Sequence, residues 1–236
     1  MYLEYYILRF FNGNESMRLV HERNHFIWLT VSMIGLMITG AATSEVPANW
    51  TLELLEYVSV ALLLLSLLSL KTNRKWTKGF VILTGIILLT VIARNATGFN
   101  YFEYFYLSLL LLFMLAASWL VGSQVLLTGR VNLNIIVGSV ALYILIGYIF
   151  AILYTLLLEL SPTALKGFEV AAWYDNLPTA TYFSFVTLTT LGYGDISPAT
   201  PLAEVIVILE AVMGMFYLAV IVASLIGSIK NKQNVS

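Results

Sequence analysis

Six stretches of apolar residues, at 26–43, 52–70, 80–93, 104–121, 133–160 and 203–229, leave this chain few folds to choose from. Crossing about 30 Å of hydrocarbon takes roughly 20 such residues in a helix, and these stretches approach or exceed that length. A soluble bundle of the same size needs polar helix faces, which these stretches lack. In lipid the backbone must satisfy its own hydrogen bonds, so each stretch is expected as a helix. Composition agrees: 60% of residues are hydrophobic and 11% charged, with a mean hydropathy of +0.88. The 80–93 stretch is the weakest, because Arg94 closes it early; Lys78 and Arg94 are placed to snorkel and help it span. The first stretch follows a charged leader and precedes five further stretches, which is not the pattern of a signal peptide.

With six spans both termini share one side, and charge says which. Placing them in the cytoplasm puts Arg9, Arg18, Arg23, Lys71, Arg74, Lys75, Lys78, Arg130, Lys230 and Lys232 inside, ten of the twelve Lys and Arg. Arg94 and Lys166 remain outside, so the positive-inside rule is obeyed. These basic residues then face lipid headgroups, and the net charge of −1 gives no reason to expect nucleic acid.

Between the last two stretches, residues 189–195 read Thr-Thr-Leu-Gly-Tyr-Gly-Asp. Gly192 and Gly194 can take φ > 0 without a Cβ clash, so the strand can alternate in handedness and turn successive C=O groups to one side. Four such strands about an axis would offer rings of oxygens in place of the hydration shell of K⁺. Upstream, Asn176-Leu177-Pro178 predicts a helix start, with about three turns over 179–189, too short to cross a bilayer. Downstream, Pro198 and Pro201 bracket a turn before the last stretch.

Thr190-Leu191-Gly192-Tyr193-Gly194 resembles the selectivity filter of the potassium-channel family, with Leu191 where valine is commoner. The resemblance covers residues 133–229 and is densest from Tyr182 to Pro198. It implies an outer helix at 133–160, a pore helix at 179–189 and an inner helix at 203–229. It also implies K⁺ held by Thr190, Leu191, Gly192 and Tyr193 and their neighbour Gly194, with Thr189 and Asp195 as support. The Thr190 hydroxyl would form the innermost site, helped by the negative end of the pore helix, while the Tyr193 ring would pack behind the filter. Asp195 has two readings: it attracts cations at the mouth, or it accepts a hydrogen bond behind the filter. Tyr182 and Phe183 stand where the family commonly has tryptophans.

Two residues of the last stretch bear on gating. Gly214, 20 residues beyond Gly194, matches the family's hinge position; close helix packing is the other reading. Glu210 lies one turn earlier on the same face, and an ionisable group there is costly. It is either a gating carboxylate or a structural acid bonded to the back of the pore helix, with Thr187 or Tyr182 as donor.

One filter motif per chain requires four copies, hence a homotetramer. Residues 104–121 contain no Lys or Arg, so this stretch lacks the charges of a voltage sensor. Glu53 and Glu56 have no basic partner there. His21 and His25 lie near the first membrane boundary, Asn49 and Asn95 begin glycosylation-type triplets on expected outer loops, and Glu159, Glu169 and Asp175 cluster before the pore helix. There is no cysteine, metal-ligand cluster, nucleophile elbow or phosphate loop, so neither an enzyme nor a cofactor is expected beyond K⁺ itself.

The expected whole is an all-α membrane protein of six transmembrane helices, with a re-entrant pore helix and filter between the last two. Its parts are a cytoplasmic segment (1–25), a four-span domain (26–121), a linker (122–132), a pore domain (133–229) and a short tail (230–236). The function expected is passive, potassium-selective conduction across the cell membrane. A nonselective cation channel and a membrane accessory protein with a non-conducting pore scaffold are the alternatives.

Overall fold

A computed structural model describes residues 25–45, 74–97, 101–126, 133–168 and 173–233. In chain order these form α1 (His25–Glu45), α2 (Arg74–Thr97), α3 (Tyr101–Leu126), α4 (Leu133–Leu160), β1 (Leu165–Lys166), α5 (Trp173–Leu188), β2 (Ser197–Pro198) and α6 (Pro201–Gln233). The expected span at 52–70, residues 1–24 of the leader, and Glu53, Glu56, Asn49, Lys71 and Glu169 lie outside the described residues.

The protein is mostly helical. Among the described residues, α2, α3, α4 and α6 hold runs long and apolar enough to cross a membrane, and α1 holds the shorter run Phe26–Ala42. The α4 bounds match the stretch read from sequence. Three other expectations need correction. The 80–93 stretch lies inside a 24-residue helix whose spanning run is Lys75–Ala93, because the basic residues before it extend the helix instead of ending it. The α3 helix continues to Leu126 and α6 to Gln233, since no proline stops either one.

The start of α5 also differs. The helix begins at Trp173, which leaves Pro178 inside it and not in its first turn. Pro178 cannot bond the Tyr174 carbonyl, but so close to the start this costs only one bond. At 16 residues, α5 is still shorter than the roughly 20 a crossing takes.

The most embedded helix is α4, which packs against α1, α3, α5 and α6. In lipid, helices associate through close packing and hydrogen bonds and gain little from burying apolar surface. Both devices appear on α4. Gly147 admits the Phe185 ring of α5, and a Cβ there would stand 2.6 Å from it. Tyr148 donates to the Met33 carbonyl of α1 at 3.2 Å. One core joins α1 to α4, with Phe80 and Phe113 edge to face at 5.6 Å. A second core gathers Phe150 and Tyr154 of α4, Phe183 of α5, and Leu165 and Ile196 of the connections on either side of α5.

Candidate functional site

The C-terminal end of α5 hands the chain directly into the Thr-Thr-Leu-Gly-Tyr-Gly-Asp segment. Thr190 N–H bonds the Thr187 carbonyl at 2.9 Å and Leu191 N–H bonds the Val186 carbonyl at 2.9 Å. This is a Schellman cap, which needs a left-handed residue at Thr190. Thr190 has φ +60°, Gly192 +58° and Gly194 +80°. The expected positive angles at the two glycines are present, and Thr190 adds a third that sequence reasoning missed. For a β-branched residue this conformation costs on the order of 1–3 kcal/mol. The cap opposes that cost, and the result is alternating handedness through Gly194, the pattern that aligns carbonyls. Thr189 turns its hydroxyl back onto the Phe185 carbonyl at 2.6 Å.

Within one chain the segment from Thr189 to Asp195 is exposed. Leu191 is 58% and Tyr193 65% accessible, so the Tyr193 side chain is mostly uncovered within its own chain. At the outer end, Tyr182 of α5 donates to Asp195 Oδ2 at 2.7 Å. That bond holds the Asp195 carboxyl below its ordinary range. Phe183 turns inward against Tyr154, ring centroids 4.9 Å apart, and supplies packing only.

Beneath the segment, Glu210 of α6 is fully buried. Tyr154 of α4 donates to its Oε2 at 2.5 Å, and Ser184 of α5 lies 2.5 Å from its Oε1. Ser184 Oγ is also 2.8 Å from the Gly147 carbonyl of α4. Glu210 therefore joins α4, α5 and α6 at one point. The expected donors Thr187 and Tyr182 are replaced by Ser184 and Tyr154. Tyr182 and Ser184 are two residues apart, about 200° around the helix, so the face carrying Tyr182 to Asp195 cannot also meet Glu210.

One turn further along α6, buried Gly214 seats against the last carbonyl of α5: a Cβ there would lie 2.1 Å from Leu188 O. The same carbonyl accepts from Tyr143 of α4 at 3.0 Å. Tyr143 lies 5.4 Å from the Tyr217 ring, and Tyr217 donates to the Ser139 carbonyl at 2.5 Å. The packing reading of Gly214 thus has a named partner. Tyr143, Tyr154, Ser184 and Tyr217 escaped the sequence reading. Their signal was a hydroxyl amid otherwise apolar spans, which must find a partner somewhere.

In the connections before α5 and before α6, β1 and β2 pair antiparallel, Leu165 with Pro198 and Lys166 with Ser197. Asp175 is exposed in the first turn of α5, and Glu159 stands at the end of α4. Among the described residues no group of three or more His, Cys, Asp or Glu could hold a metal ion.

Residues 138–231 match the family model described as an ion channel. The match spans α4 through α6 and covers less than half of the chain. It supports an ion-channel family, whose members are generally not enzymes, and passive ion conduction by this part of the protein. It agrees with the apolar helices in pointing to a multi-pass membrane protein that assembles into oligomers. No curated protein and no solved structure matches the chain.

Proposed function

We propose that four copies of this chain form a potassium-selective pore that conducts K⁺ passively across the cell membrane. The observation that carries this reading is the alternation of positive φ at Thr190, Gly192 and Gly194 within Thr-Leu-Gly-Tyr-Gly. In a fourfold ring it would stack the carbonyls of Thr190, Leu191, Gly192 and Tyr193 as K⁺ sites. The α5 helix serves as the re-entrant pore helix, its negative end toward the ions. The six-span subunit has both termini in the cytoplasm, and the helix at 104–121 is no charged voltage sensor.

Bare apolar surface supports the fourfold assembly. The spanning run of α6 is 11% buried within one chain, against 61% for α4. Leu209, Met213 and Phe216 stand open on it, as do Leu191 and Tyr193 on the segment before it. Neighbouring copies would cover this surface, including the exposed part of Tyr193.

Flux from liposomes holding the purified chain tests the reading. K⁺ flux well above Na⁺ flux, lost in Tyr193→Ala, is the expected result, with a tetramer on crosslinking. Equal flux of both ions would favour a nonselective cation pore. A stable tetramer without flux, at varied pH and tension, would favour the accessory protein.

A further inference from the structure

The strand outside the pore helix touches the residue that closes the filter. Gly167, directly after β1, has φ +85°, and a Cβ built there would stand 2.2 Å from the Asp195 carbonyl oxygen. Its next nearest neighbours are Asp195 C at 3.1 Å and Ile196 Cα at 3.2 Å, all backbone atoms with no flexible side chain to yield. Just before Gly167 the two segments are tied by the β1–β2 pairing and by Ala199 N–H to the Ala164 carbonyl at 2.8 Å. Leu165 and Ile196 anchor both segments in the core that holds Phe183 and Tyr154.

We propose that residues 164–167 brace the outer end of the filter, with Gly167 as a positioning residue for the carbonyls next to Asp195. The inference rests on the potassium-pore reading above. Asp195 is then bonded by the Tyr182 hydroxyl from the pore helix and closely abutted by the Gly167 backbone from the other side. K⁺/Na⁺ discrimination rests on the spacing and field of the coordinating carbonyls, so it depends on what holds their backbone in place. A methyl at position 167 would have to push the Asp195 carbonyl away by about 1 Å to reach ordinary contact. Ile196 is buried and fixed, so the displacement passes toward Gly194.

The test uses the full chain in liposomes. Gly167→Ala is expected to assemble as a tetramer and conduct, with its K⁺/Na⁺ flux ratio reduced about tenfold. Because Tyr182→Phe loosens the same residue, the two changes in ratio should be non-additive in a double-mutant cycle. A wild-type ratio in Gly167→Ala, beside a selective wild type, overturns the brace and leaves the pore reading intact. A wild type that does not discriminate K⁺ overturns both.

If Gly167→Ala does not assemble, the brace is tightened instead. The chain has no cysteine, so Lys166→Cys with Ser197→Cys introduces one cross-strand pair on the outer side. Oxidised, it should keep its K⁺/Na⁺ ratio through exposure to K⁺-free medium better than the same protein reduced. A disulfide that forms without changing that retention, or a pair that does not bond, overturns the proposal.

Discussion

Tyr154 and Glu210, 56 residues apart in sequence, share a 2.5 Å hydrogen bond between α4 and α6. Ser184 completes the joint from α5, at 2.5 Å from the other carboxyl oxygen. Ser184 has one proton and two oxygens within reach, Glu210 Oε1 and the Gly147 carbonyl. A carboxamide at position 210 can donate to Ser184 and accept from Tyr154, leaving the Ser184 proton for Gly147. Glu210→Gln is therefore expected to retain flux, pH dependence and tetramer yield, whereas Glu210→Leu loses assembled protein. A changed pH profile in Glu210→Gln would make the carboxyl a gating group.

Removing the Tyr154 hydroxyl gives a second expectation. Tyr154→Phe leaves Glu210 Oε2 buried without its donor, a loss of about 1–3 kcal/mol. Thermal unfolding of the tetramer in detergent should show it, and unfolding at the wild-type temperature would refute it.

The Tyr182–Asp195 bond predicts a response to external acid. The hydroxyl lowers the Asp195 carboxyl from its ordinary value of 3.8, so the bond stabilises the folded mouth above that pH. Its contribution disappears as pH falls through the lowered value. In Tyr182→Phe the main cause of the lowering is gone, and loss of K⁺ flux on acidification should begin at higher pH than in wild type. Coincident acid profiles would count against the bond.

At Gly214 the distances predict a sharp contrast between glycines. Gly214→Ala drives a methyl into the Leu188 carbonyl, 2.1 Å away, and should cost about 1–3 kcal/mol of stability. Gly79→Ala and Gly85→Ala on α2 meet nothing within 4 Å, so they should hold or slightly raise the unfolding temperature and leave flux unchanged. Equal tolerance at all three positions would remove the close seat between α5 and α6.

The Leu188 carbonyl supplies a last expectation. Tyr143→Phe removes its side-chain donor at the point where Gly214 also rests. The substitution should change single-channel open probability while leaving the K⁺/Na⁺ ratio close to wild type, since Thr190 and Leu191 keep their own backbone bonds to α5. A changed ratio with normal opening would place the effect in the filter instead.

Much of this was legible in the sequence because it is local. An apolar run bounded by polar residues gives α4 its limits, and two glycines around Tyr193 announce a strand of alternating handedness. The misses share one cause, contacts between distant residues. Nothing near Ser184 or Tyr154 in sequence marks them as partners of Glu210, because helix rotation and crossing decide which hydroxyl arrives. Thr190 was missed differently: its positive φ belongs to the helix cap, and threonine is not the residue such a cap usually selects. Gly167 gave no signal until Asp195 was seen against it.

The bond from Tyr148 to the Met33 carbonyl joins residues 115 positions apart. At about 5–20 residues per second, the ribosome needs roughly ten seconds to make that much chain. Throughout that interval α1 has neither α4 nor α5 to pack against. Its docking is thus a late step of biogenesis, and α5 is among the surfaces it meets last. A substitution on α1 facing Tyr148 or Pro178 would show itself first as slow maturation of newly made protein, before any change in the finished channel.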